Sequence, residues 1–139
     1  MRQGMTVIET VVVLSIITLV IAIVVPTLTR LRDGIAVRNA TAEAVAAFAI
    51  ARRSAIVRST TAALGVDRPP GFMTVTAAGE MLLQRDLEGA YGVTLSSTRD
   101  STAYSPLGHG VGAANLSLVI ARGSVAETIF VSREGRVRR

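Results

Sequence analysis

The sequence predicts an α+β chain: one long N-terminal helix, its first half apolar enough to span a membrane, then a domain of antiparallel β-strands. Three observations predict it. Thr10 to Thr29 is an unbroken run of 20 uncharged residues. Beyond Pro26 the pattern turns from apolar all round to one-sided, and alanines crowd the stretch from Ala40 to Ala51. From Thr60 onward, short alternating segments are separated by turns rich in Gly and Pro.

The apolar run comes first. As a helix rising about 1.5 Å per residue it is roughly 30 Å long, the thickness of a bilayer core. Many of its residues are β-branched, among them Val11, Ile16, Val20 and Ile23, which lowers helix propensity in water. In lipid an unsatisfied backbone costs far more than that propensity, so residues 5–29 are predicted as a transmembrane helix. Pro26 removes one backbone donor and kinks or loosens the helix there.

Residues 30–60 continue as an amphipathic half. Leu28, Leu31 and Ile35, then Val45, Phe48, Ala49 and Ile56, recur at three- and four-residue steps and are predicted to face a sheet. Arg52 falls beside Phe48 and Ile56, so either its stem lies along apolar surface or the core ends there. Gly34 and Asn39 weaken the helix without stopping it. The helix as a whole is predicted from about Met5 to about Ser59.

Residues 61–139 form the β domain. Leu64-Gly65-Val66 and Phe72 to Thr76 read as strands flanking the turn Asp67-Arg68-Pro69-Pro70-Gly71. Gly79 to Glu88 is ambiguous, and Val93 to Ser96 is a short strand. Ser97 to Asn115, with Pro106 and a glycine-rich run around His109, is predicted to be a long loop. Leu116 to Ala121 and Thr128 to Ser132 make an antiparallel pair around Arg122-Gly123-Ser124. A tight turn, Arg133 to Arg136, leads into an edge strand from Val137 to Arg139. One long helix followed by short strands gives a helix spine with an antiparallel sheet on its outer half.

Composition narrows the function. All 15 basic residues are Arg, and there is no Cys. A Schiff-base or Walker A lysine, a thiol nucleophile, a disulfide and a cysteine metal site are therefore excluded. The glycine run around His109 lacks the Lys-Ser/Thr of a phosphate loop, and His109 itself reads as a loop histidine. Asp86 and Glu88, the best acid candidates, have no Lys or neighbouring His to work with, and no cofactor is implied. The chain is predicted not to be an enzyme. A net charge of +5 fits either contact with anionic headgroups or a nucleic-acid partner.

Glu9 sits at the lip of the apolar run, where a carboxylate either marks the membrane edge or has a partner. Before it stand Arg2 and Gly4, without the longer leader and Ala-x-Ala site of a secretory signal peptide. At these residues the chain resembles the type IV prepilin and pseudopilin family. The family's signature is a short basic leader ending in Gly, a cut directly after it, and Glu as the fifth residue beyond the cut; here these are Gly4, Met5 and Glu9. Met5 stands where the family usually has Phe. The resemblance implies a leader of residues 1–4 and cleavage between Gly4 and Met5 by a prepilin peptidase, which also N-methylates Met5. It further implies that Glu9 pairs with the new N-terminal amine of a neighbouring subunit, neutralising two charges and setting the stagger between subunits. Pro26 matches the proline that interrupts the family's anchor helix.

Ala51-Arg52-Arg53-Ser54-Ala55-Ile56, and Ile129 to Ser132 leading to Gly135-Arg136-Val137, look like the GspH/FimT group of minor pseudopilins. This implies a pilin-like subunit near the tip of a type II secretion pseudopilus or type IV pilus. Its implied partners are other pilin or pseudopilin subunits, the prepilin peptidase, the inner-membrane assembly platform and the membrane. The implied topology is single-pass in the inner membrane, domain in the periplasm, and filament-associated after assembly. Charge counting alone points the other way, since Arg30, Arg32 and Arg38 outweigh Arg2 and the amino terminus. We follow the resemblance, because so short a leader has one evident purpose.

Arg136, Arg138 and Arg139 fall in the last four positions, just after Gly135. On a strand, Arg136 and Arg138 face one side and Val137 the other. Such an edge serves either to discourage sheet-to-sheet aggregation or to contact phosphates. FimT-like pilins of natural transformation carry a Gly-Arg-x-Arg motif implicated in DNA binding, and Gly135 to Arg138 match it. GspH members commonly end in Gly-Arg-Val as well. No aromatic stands in this stretch, so base stacking is not expected and the DNA partner would be double-stranded.

Overall fold

Helix α1 runs from Val7 to Val57, close to the predicted bounds. It belongs to a computed structural model that describes residues 6–69, 71–112 and 115–139. The chain divides into two units, Met1–Arg32 and Asp33–Arg139.

In the first unit, α1 starts at Thr6, whose hydroxyl accepts a hydrogen bond from the Glu9 amide at 3.3 Å. Thr6-Val7-Ile8-Glu9 has the spacing of a capping box, with an acid in the first turn where the helix dipole favours it. Ser15 and Thr18 donate to the carbonyls of Val11 and Leu14, both at 2.8 Å. Hydroxyls in this apolar stretch are thus satisfied by their own helix. The helix is uninterrupted at Pro26, although Pro offers no N–H to the Ala22 carbonyl. All its residues from Val7 to Arg32 are exposed, and the helix is long and apolar enough to cross a membrane.

In the second unit the helix buries Ala36, Val37, Ala40, Thr41, Ala44, Ala47, Phe48, Ala51 and Ala55. This corrects the predicted face. Ile35, Ala49 and Ile56 are exposed, as are Leu28 and Leu31 before them; of the predicted set only Phe48 is buried and Val45 half-buried. Ile35 lies nine residues from Ala44, two and a half turns away and so on the opposite side. Alanine methyls let strands approach the helix closely, so the small residues are covered and the bulky ones are not.

The helix ends in a Schellman motif. Thr60 N–H donates to the Ala55 carbonyl at 3.1 Å and Ser59 N–H to the Ile56 carbonyl at 3.2 Å, with Ser59 in the left-handed region at φ 48°.

Among the described residues nine strands follow, forming two antiparallel sheets where one was predicted. The first has the order β3-β2-β1-β5-β6, from β1 (Ala62–Asp67), β2 (Phe72–Ala77), β3 (Glu80–Asp86), β5 (Ser101–Tyr104) and β6 (Gly110–Val111). The second has the order β4-β7-β8-β9, from β4 (Thr94–Ser97), β7 (Leu116–Arg122), β8 (Val125–Val131) and β9 (Val137–Arg138). The ambiguous 79–88 stretch resolves into edge strand β3 and the short helix α2 (Leu87–Tyr91). Asp86 caps α2, accepting from the Gly89 amide at 2.7 Å, which accounts for one of the two acid candidates.

The predicted loop from Ser97 to Asn115 is also corrected, because it holds the β5–β6 hairpin. Tyr104 pairs with Gly110, and Ser105 N–H donates to the His109 carbonyl at 2.8 Å. Only Thr102 and Tyr104 point inward on β5, too few apolar positions to signal a strand. Leu64, Val66, Met73 and Val75 from the first sheet join Leu118, Ile120, Ile129 and Val131 from the second in one core with the alanine face of α1.

Candidate functional site

The predicted site residues fall at the start of α1 and at the end of the chain. Gly4 and Met5, the cleavage and methylation pair, lie outside the described residues. Glu9 is exposed in the first turn of α1, and Pro26 is exposed within the helix.

The C-terminal edge is built from β8, β9 and the turn between them. Gly135 N–H donates to the Ser132 carbonyl at 2.9 Å, and Ser132 N–H to the Arg136 carbonyl at 2.9 Å. Gly135 is left-handed at φ 75°, the usual close of a short hairpin loop. It is also buried, and a Cβ there would come within 2.7 Å of the Tyr104 ring. Gly135 therefore places Arg136 and offers little surface of its own. Tyr104 beneath it is 1% exposed, and its hydroxyl has no hydrogen-bond partner among the described residues. Burial raises its pKa, while the Arg52 charge pulls it back down.

The two faces of the edge differ as predicted. Val137 turns inward to a groove shared with Phe48, Arg52 and Ile56 of α1. Arg136 and Arg138, with Arg133 from the turn, line an open depression of about 450 Å³ on the other side. Glu134 lies in the same depression, its Oε2 at 3.4 Å from Arg136 Nε, with both side chains about 70% exposed. So exposed a pair contributes little stability and leaves the Arg136 guanidinium free to exchange partners. Arg139 is exposed at the end of the chain.

Two residues that sequence reasoning missed belong here. Phe130, 53% exposed, stands directly opposite Arg138 in the β8–β9 register and lines the depression. An aromatic does accompany the arginines, contrary to the expectation from the last residues alone. Alternation along β8 was the available signal: Ile129 and Val131 turn inward, so Phe130 must turn out. The second is Arg99, whose Nε donates to the carbonyl of Asn115, another lining residue, at 3.1 Å. Sixteen residues separate that pair, beyond any local pattern.

The same architecture occurs in two crystal forms of the type IV minor pilin FimU of Pseudomonas aeruginosa. One form matches with a TM-score of 0.62 at 16% identity, covering 73% of this chain and 86% of that one. The other gives 0.60 at 15% identity, covering 73% and 90%. The chain has a type IV pilin fold. No protein-family model and no curated protein sequence matches it.

Proposed function

We propose that the chain is a minor pilin or pseudopilin subunit, cut between Gly4 and Met5 by a prepilin peptidase and N-methylated on Met5. It assembles near the tip of a type II secretion pseudopilus or a type IV pilus. The observation that carries this is the pilin fold on a chain whose N-terminal helix is apolar and exposed, with Glu9 in its first turn. An apolar helix surface without cover needs lipid before assembly and neighbouring subunits after it. Glu9 pairs with the methylated amine of the adjacent subunit, since an unpaired carboxylate at that depth is costly. Before assembly the chain is held by the inner membrane with its domain in the periplasm, and the inner-membrane platform feeds it into the filament. Mass spectrometry of the native protein, from cells with an active peptidase, tests the first step. The expected species lacks the first four residues and carries one methyl group; a mass retaining Met1 would sink the proposal. Glu9→Ala is expected to insert in the membrane and fold but fail to enter the filament.

A second reading is favoured by the C-terminal edge: the same subunit captures DNA through phosphate contacts from Arg136 and Arg138, with Arg139 beside them. Its support is that Arg133, Arg136 and Arg138 converge on one open depression. Weakening by salt, and loss in Arg136→Ala with Arg138→Ala, are the expected results.

A further inference from the structure

We infer that the depression at the C-terminal edge takes single-stranded DNA, with Phe130 as the platform on which a base stacks. The inference rests on the DNA reading above and adds the strand form and the residue that selects it. Ser117, Phe130 and Arg138 form one row across β7, β8 and β9. Neighbouring strands lie about 4.8 Å apart, so Arg138 begins one strand from the ring and its long side chain reaches a phosphate beside a stacked base. Arg133 and Arg136 line the same depression, and Arg99 adjoins it through Asn115.

The surroundings of the ring are open and uncharged on the other side. Ser117 is opposite Phe130, and Val119 and Thr128 form the next row on that face. Glu134 is the one acid among the residues lining the depression, and it pairs with Arg136. A lone exposed Phe is ordinary on a protein surface. An exposed Phe fixed on a sheet, opposite an arginine and beside two more, is the combination that single strands use: a π-face for the base and guanidinium groups for the backbone. Duplex DNA keeps its bases stacked inside and offers this surface only phosphates, so the ring would contribute nothing to duplex binding.

The test is fluorescence anisotropy with the full chain in detergent micelles. Three labelled probes of equal length, about 12 nucleotides, are compared: oligothymidylate, an abasic strand with the same backbone, and a duplex. Oligothymidylate is expected to bind about tenfold tighter than the abasic strand. Phe130→Ala removes that margin and leaves abasic and duplex binding within about twofold. Phe130→Tyr keeps the margin, which shows that the ring and not the fold is being read. Arg136→Ala with Arg138→Ala weakens all three probes. If Phe130→Ala binds every probe as the wild type does, stacking is overturned while the DNA reading stands. If the wild type binds none of them, the DNA reading falls and this inference with it.

Discussion

The two halves of α1 are built on opposite uses of size. From Val7 to Arg32 the helix presents Val, Leu and Ile around its circumference, and none of it is buried. From Asp33 onward the buried face is nearly all alanine, with Val37, Thr41 and Phe48 as the larger members. Bulky β-branched side chains give a broad apolar surface suited to lipid or to other helices. Alanines give a helix that strands can approach closely, and the closer packing buries more of both. Hydrophobicity alone does not separate the two; the volume of the side chain does.

The sharpest way to break that comparison is to make the covered half bulky. Ala44 is 0% exposed, so Ala44→Leu forces three more carbons into a filled site and should cost about 3 kcal/mol. Ala22→Leu in the exposed half should leave the domain's thermal midpoint unchanged. Circular dichroism melts of both full-length variants in the same detergent check the pair. Equal, small shifts would mean that the alanine face is not the contact.

The next effect comes from the segment around Tyr104. Gly135→Ala would put a methyl against the Tyr104 ring while holding a left-handed backbone, and should cost about 2 kcal/mol in urea unfolding. The same change should displace Arg136, so any DNA binding should weaken with it. Unaltered stability would show that the turn relaxes freely and that Gly135 does not fix the arginine.

These positions also show how much was legible. The uncharged helical run and the strands from Leu116 onward could be read directly, because each is a strong local pattern. The face of α1 could not, since periodicity weights Leu31 and Ile35 above Ala40 and Ala44, while packing against strands favours the small ones. The β5–β6 hairpin was hidden because β5 offers two inward side chains, one a threonine, and β6 is two residues long. At the C-terminal edge the arginines were plain in sequence. Their aromatic companion was not, because Phe130 reaches them through a strand pairing and not through the chain.

Tyr104 supplies a smaller, pH-dependent effect. Burial raises its pKa above the ordinary value near 10, so the unfolded chain loses this proton first as pH rises. Its contribution is complete below about pH 10 and is lost as pH climbs through the folded value. Tyr104→Phe should therefore flatten the fall in stability above pH 10. Tyr91 keeps part of the slope, since partial desolvation and the Glu43 carboxylate raise its phenol as well. At pH 7 the variant should gain about 1 kcal/mol, because a buried hydroxyl without a partner is removed. An alkaline profile identical to the wild type would assign the slope to other groups.

The smallest effect lies where the covered half of the helix stops. Ser59 occupies the left-handed position of the Schellman motif, which most helices give to Gly, at φ 48°. Its side chain carries a conformational cost that Gly would not, and the residue is exposed, so no packing is lost in the exchange. Against this, Gly enlarges the freedom of the unfolded chain and takes back part of the gain. The balance predicts that Ser59→Gly stabilises the domain by about 0.5 kcal/mol, with Ser59→Ala changing little and Ser59→Val costing about 1 kcal/mol, since a branched Cβ fits that region worst. Urea midpoints for the wild type and the three variants give Gly as most stable, Ser and Ala close together, and Val as least stable. A reversed order would mean that the helix does not end at this residue, and that the boundary between α1 and β1 is drawn elsewhere.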